Sequence, residues 1–205
     1  MAQKNRIGRP KGSSKEDTLA RLMPVARRLF AEKGFAQTTF KDIGRELGVS
    51  HAALYAYFPS KKELYLAAVN DTQTLLAPFF AEAMVSSASL RERISSILLA
   101  IAAEHDKDPS ITGLLAAVPI EIRRHPELYE ALVSGDNLVM QTLEQLFREA
   151  QERGEIRSDA EPRELITALL GGGVGVALFQ YGMQSGSLTR SMQVFADLIN
   201  STLFA

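Results

Sequence analysis

Within the stretch Phe40–Phe58 the sequence sets His51, Ala52 and Tyr55 at i, i+1 and i+4, one face of a helix. Ile43, Leu47, Val49, Leu54 and Phe58 form the apolar set opposite it. An imidazole, a methyl and a phenol on one exposed face suit contact with base edges and phosphates rather than bond breaking; Ala52 can touch a thymine methyl. Other groupings offer less. Glu104-His105-Asp106-Lys107-Asp108 has metal-ligating residue types. Its spacing matches no standard site, and acidic, turn-prone residues before Pro109 fit a helix end. Glu121, Arg123, Arg124 and His125 read as another solvated helix end. Gly171-Gly172-Gly173-Val174-Gly175 would suit a nucleotide's phosphates if a strand led into it, but Leu178 stands where a third glycine is needed. Helix packing against a second helix, as in a two-fold interface, explains those glycines better. Three histidines and many acids mark no serine–histidine–acid arrangement. There is no cysteine, which removes thiolate zinc sites, iron–sulfur clusters and a cysteine nucleophile. The expectation is a protein that is not an enzyme and uses no cofactor or metal.

Charge gives the second signal. The chain of 205 residues has a net charge of −1, but residues 1–70 hold 13 Lys/Arg against 6 Asp/Glu, and residues 71–205 hold 10 against 18. A front part at +7 and a rear part at −8 suggest that the front meets a polyanion. Apolar residues at 46% and charged residues at 23% are those of a folded protein. No residue from Leu165 to Thr189 carries a formal charge, yet only Leu165–Phe179 is predominantly apolar and it is interrupted by glycines. A span needs about 20 apolar residues, so a buried helix and no membrane are expected. The polar start Met1–Arg6 shows no secretory signal, and a cytoplasmic location is expected.

The elements that must hold these residues read as helix throughout, with no two-residue alternation to suggest a sheet. Residues 1–14 are a basic, Gly/Pro/Ser-rich flexible arm in which Gly8-Arg9-Pro10 resembles short minor-groove arms. A first helix from about Ser14 or Asp17 to Lys33 stops at Gly34, with Pro24 kinking it or moving its start. Thr39-Phe40-Lys41-Asp42 is a capping box that opens a short helix ended by Gly48. Gly44 keeps that helix slim where the next one crosses, and Ser50 opens the third helix, through about Tyr57. Ser60-Lys61-Lys62-Glu63 is a second capping box starting a longer fourth helix. Lys61, a cation at a helix N-terminus, opposes the macrodipole and so invites an anionic partner. Beyond residue 75, breakers that include Pro78 and Pro119 separate helices near 90–107, 110–124, 126–153, 162–184 and 187–204.

The helix-turn-helix spacing sits inside a longer pattern. Ala26–Phe35, Thr38-Thr39-Phe40-Lys41-Asp42-Ile43-Gly44, Leu47-Gly48-Val49-Ser50, Leu54-Tyr55-Ala56-Tyr57-Phe58 and Ser60-Lys61-Lys62-Glu63-Leu64 resemble the N-terminal domain of the tetracycline-repressor (TetR) family over residues 15–70. The resemblance implies an all-α homodimer: a three-helix DNA-binding head joined by a fourth helix to a larger helical domain that binds a small effector and dimerises. On this sequence that gives an arm at 1–14, a head at 15–60 and an effector and dimerisation domain at 61–205. Dimerisation would use the last two helices, about 162–184 and 187–204. It further implies that Thr39, Tyr55, Tyr57 and Lys61 hold phosphates of double-stranded DNA. Lys41, His51 and Ala52 would reach base edges, with Ser50 near a phosphate. Departures are Pro24, Gly44 where alanine is commoner, and the small pair Ala52-Ala53, which leaves hydrogen-bonded readout to Lys41 and His51.

The resulting expectation is a ligand-responsive regulator, a repressor on a palindromic operator. Helices carrying Phe79, Phe80, Met84, Ile97, Leu98, Ile101, Leu114, Leu115, Ile122, Leu143 and Phe147 suggest a largely apolar effector pocket; most of these side chains are expected to be core, and none is assigned to the site. The alternatives are a nucleotide-binding enzyme using Gly171–Gly175 and a DNA-coating protein without effector control.

Overall fold

The computed structural model describes residues 15–133, 138–157, 159, 161–184 and 186–202. The basic arm 1–14, with Lys4, Arg6, Arg9 and Lys11, lies outside the described residues. Ten α-helices and one 3-10 turn make up the described chain, with no strand among those residues.

The head is built from α1 (Lys15–Gln37), α2 (Phe40–Leu47) and α3 (His51–Leu54). Helix α1 passes straight through Pro24 and departs from helical geometry only at Gly34 (φ 76°, ψ 173°). Pro24 neither starts the helix nor stops it. Its ring is exposed, and so is Ala20, whose carbonyl loses its i+4 donor on the water side, where solvent can replace it. The same holds for Pro78 inside α4 (Lys61–Val85), which the sequence suggested as a breaker. Just past Gly34, the buried Thr38 hydroxyl donates to the Gly34 carbonyl (2.8 Å) and contacts that of Leu29 (3.0 Å), fastening the end of α1.

Helix α4 runs from the head into the rest of the molecule. Leu64, Tyr65, Ala68 and Val69 on its first half join Leu22, Ala26, Leu29, Phe30, Ile43 and Leu54 in one buried cluster. That cluster also takes in Leu114 of α6 (Ser110–Arg124) and Leu128 of the 3-10 turn Pro126–Leu128. A second cluster joins Leu76 and Phe80 of α4, Leu90, Ile94 and Ile97 of α5 (Leu90–Lys107), Leu143, Leu146 and Phe147 of α8 (Leu138–Glu152), and Ile166 and Leu169 of α9 (Pro162–Met183). The single helix expected over 126–153 is instead the 3-10 turn, α7 (Tyr129–Val133) and α8, with residues 134–137 outside the description.

Helices α9 and α10 (Leu188–Thr202) pack on each other; α10 also packs on α5, and α9 on α6 and α8. The glycine run of α9 lies within continuous helix, not in a turn after a strand, which removes the phosphate loop imagined from the sequence. A methyl group on Gly172 would overlap the Phe195 ring of α10, and one on Gly173 would press on Leu98 at 3.3 Å. Gly171 and Gly175 face open space. The close approach is therefore made partly within the chain itself. Helix α9 is long and apolar enough to cross a membrane by length and composition, and most of it is not buried. It is less buried than the sequence suggested.

Candidate nucleic-acid interface

The turn between α2 and α3 is fixed by local hydrogen bonds. Thr39 caps α2: its hydroxyl oxygen accepts from the Asp42 N–H (3.2 Å), and the Asp42 carboxylate accepts from the Thr39 N–H (3.2 Å). The Thr39 hydroxyl also donates to that carboxylate at 2.6 Å. That bond, with Lys33 nearby, holds the Asp42 carboxyl below its usual range. Gly48 ends α2 in the left-handed region (φ 70°), where glycine has no steric penalty. At Gly44 a Cβ would stand 2.8 Å from the Val49 carbonyl oxygen, so glycine lets the turn fold back against α2.

Ser50 caps α3, its hydroxyl accepting from the Ala53 N–H (3.2 Å). Helix α3 proper is a single turn, shorter than the expected run to Tyr57. Its continuation is tightened by i→i+3 bonds from Ala56 to Ala53 and from Tyr57 to Leu54. Pro59 disfavours helix at Phe58, so the segment closes there. Leu54 is fully buried, while His51, Ala52 and Tyr55 are exposed. Tyr55, 52% exposed, lies edge-on to Phe40 with ring centroids 4.4 Å apart, which orients its phenol. Lys41 is exposed on α2, Thr39 is exposed at its cap, and Tyr57 is half-buried.

Lys61, read from the sequence as a cation that invites an anionic partner, already has partners within the chain. Its ammonium donates to the Ala36 carbonyl (2.8 Å) and lies 4.7 Å from the centroid of the Phe35 ring. Burial pushes its pKa down, and the Glu121 charge opposes that shift. The cation thus caps the end of α1, where exposed carbonyls welcome it.

Two functional neighbourhoods were invisible in the sequence. Arg27, adjacent to Arg28 and read with it as part of the basic head, is buried on α1. Its guanidinium meets Asp108 (2.8 Å), the Ser110 hydroxyl (3.2 Å) and Asp71 of α4 (3.4 Å). Burial opposes ionisation of Asp108, but the Ser110 hydroxyl and Arg27 outweigh it and hold the carboxyl below its usual range. Only the spacing of Arg27, four from Met23 and three from Phe30, hinted that it points inward. Glu121 is likewise buried, against Gly34 and 3.5 Å from His125, not at a solvated end. Both join the head to α6.

The acidic run before Pro109 also has definite duties. Asp106 accepts from the Ser187 hydroxyl (2.7 Å) and the Leu188 N–H (2.8 Å), capping α10. His105 pairs with the Thr112 hydroxyl. Phe80, Ile97, Leu143 and Phe147, expected around an apolar pocket, are packed as core. A cleft of about 340 Å³ lies where the α5–α6 bend meets the end of α9.

A family model described as bacterial regulatory proteins, tetR family, matches residues 22–68, the segment that contains α2, the turn and α3. Over residues 22–68 the chain is thus similar to the tetR family. Among its curated relatives, the nucleoid occlusion factor SlmA of Haemophilus influenzae is 33% identical over 87 residues, 42% of this chain and 40% of SlmA. The matches to the SlmA proteins span about half or less of those relatives' length. The HTH-type transcriptional regulator UidR of Escherichia coli is 26% identical over 144 residues, 70% of this chain and 71% of UidR. Among solved structures, Salmonella enterica GusR superposes with a TM-score of 0.70 at 25% identity, covering 95% of this chain and 99% of its own. The tetR-family match ends at residue 68, inside α4, where the head's buried cluster also reaches its last α4 members.

Proposed function

We propose that this chain is a DNA-binding transcriptional regulator that works as a homodimer, represses by occupying a palindromic operator, and releases it when a small effector binds. The carrying observation is that Lys41, His51, Ala52 and Tyr55 are all exposed on a capped helix-turn-helix. In the major groove, Lys41 and His51 donate to base edges and Ala52 meets a thymine methyl. Thr39, Ser50, Tyr55 and Tyr57 fix the register on phosphates. Lys61 adds its charge to that rim without leaving the end of α1.

A second copy is the partner that α9 and α10 call for. Val174, Leu178, Phe179 and Met183 of α9 and Val194 and Leu198 of α10 are exposed, beside the open Gly171 and Gly175. A two-fold pairing of such faces buries them, allows α9 helices to approach closely, and sets two heads about 34 Å apart on successive major grooves. This reading puts the protein in the cytoplasm with its DNA, and leaves α9 to a partner and not to lipid. For an effector to loosen the operator a hundredfold, it must favour the released arrangement by about 2.7 kcal/mol.

Selection of bound duplexes from a random pool, with the mass of the complex measured by light scattering, tests this directly. Enrichment of a palindrome carrying dimers supports it. Binding without sequence preference would mean a DNA-coating protein, and no binding at low salt would remove the reading.

A further inference from the structure

The cleft at the α5–α6 bend is lined mostly by residues with polar side chains. His105, Asp106 and Pro109 line one side, and Gln180, Tyr181 and Gln184 of the α9 end line the other. At about 340 Å³ it lies at the small end of the ~300–1,000 Å³ typical of ligand sites. Its carboxylate oxygens already have partners. Asp106, with a pKa of about 2, is committed to the N-terminus of α10 through Ser187, Leu188 and Thr189. Asp108, two residues on, is paired with Arg27. Burial disfavours the charged form of His105, and its Nδ1 is occupied by Thr112, which leaves Nε2 for a ligand. What the cleft offers is therefore an imidazole nitrogen, two side-chain amides and a phenol. These donors and acceptors match hydroxyl groups, while the ionised Asp106 beside them disfavours an anion and its engaged oxygens leave no free site for a cation.

We propose that this cleft is the effector site, and that it takes a small, uncharged, polyhydroxylated molecule in place of the apolar effector expected from the sequence. The assignment rests on the regulator reading above. The site is also placed to report occupancy. The Tyr181 ring lies so tightly over Gly113 of α6 that a Cβ there would stand 2.7 Å from it. Two residues beyond Asp106, Asp108 is tied through Arg27 to α1 of the head. A ligand that displaces Tyr181 or Pro109 shifts the bend to which Arg27 is anchored. It changes DNA affinity to the extent that it binds the two arrangements unequally.

The test uses the full chain and a fixed panel: glucose, myo-inositol and methyl glucoside, against choline, acetate and decanoate. Thermal shift and titration calorimetry read binding, and operator affinity is read on the same samples. Gln184→Gly removes an exposed amide at a left-handed position (φ 49°) that glycine accepts, so it leaves the fold intact. His105→Gln is the second variant. Saturable binding of a polyhydroxylated probe, weakened about five- to tenfold by Gln184→Gly, supports the site. No response to any probe at millimolar concentration overturns it. So does a response confined to choline, acetate or decanoate, or one that both variants leave unchanged. Wild-type protein that holds operator DNA while the panel fails loses only the cleft assignment. Protein that ignores DNA loses the regulator reading as well.

Discussion

Replacing Arg27 with methionine keeps a long apolar stem and deletes the guanidinium that ties α1 to α4 and to the α5–α6 bend. The side chain is 6% exposed, but its partners Asp71 and Asp108 are each 38% exposed. Breaking a fully buried pair costs ~3–5 kcal/mol. Here water reaches both carboxylates, and Asp108 keeps its bonds from the Ser110 N–H and hydroxyl, so the expected cost falls to about 1–3 kcal/mol. With a urea slope of about 2 kcal/mol/M, the midpoint should drop by ~0.5–1.5 M at fixed protein concentration, with the slope unchanged. The pH dependence follows from Asp108. Its folded pKa lies below the unfolded value of ~3.9, so its stabilisation is complete above that value and is lost as pH falls through the lower folded one. The gap between wild type and Arg27→Met should therefore narrow below pH ~4. Equal stability at neutral pH, or a gap that persists undiminished into strong acid, would refute the network.

Three further outcomes are expected. The Tyr65 hydroxyl is fully buried with no hydrogen-bond partner among the described residues; Tyr65→Phe should raise stability by ~1 kcal/mol in chemical denaturation. Gly172→Ala forces a methyl onto the Phe195 ring; overpacking should outweigh its helix-propensity gain and leave the variant less stable than wild type in chemical denaturation. Lys61→Ala removes both the cap on Ala36 and a cation near DNA; it should lower the melting temperature and weaken binding to all duplex sequences about equally, read by parallel melting and anisotropy.

Signals carried by a few adjacent residues could be read without coordinates. Thr39 and Asp42 form their box, Gly48 adopts the left-handed cap, and Ser50 caps α3, because each depends on atoms within four residues. Pro24 and Pro78 misled for the complementary reason. Whether a proline breaks a helix depends on which side its missing bond faces, and here both rings face water. Helix α3 came out short because tight i→i+3 bonds and Pro59 end it, a detail below the resolution of periodicity. Most hidden were Arg27, Glu121 and the cleft. Arg27 contacts residues 44 to 83 positions away, and such pairings are set by how α1, α4 and α6 dock rather than by any local pattern. The glycines of α9 were legible as a packing device, but not as one shared between Phe195 and an open face.

Salt titration of operator binding bears most directly on the proposal that the exposed α2–α3 face grips duplex DNA. Anisotropy would be recorded for wild type and Lys41→Ala on the selected palindrome and on a scrambled duplex. A steep linear fall of log affinity with log salt is expected, with the slope lowered by about one phosphate's worth and the palindrome preference reduced in Lys41→Ala. Affinity independent of salt, or a Lys41→Ala variant indistinguishable from wild type on both duplexes, would mean that this face does not meet DNA.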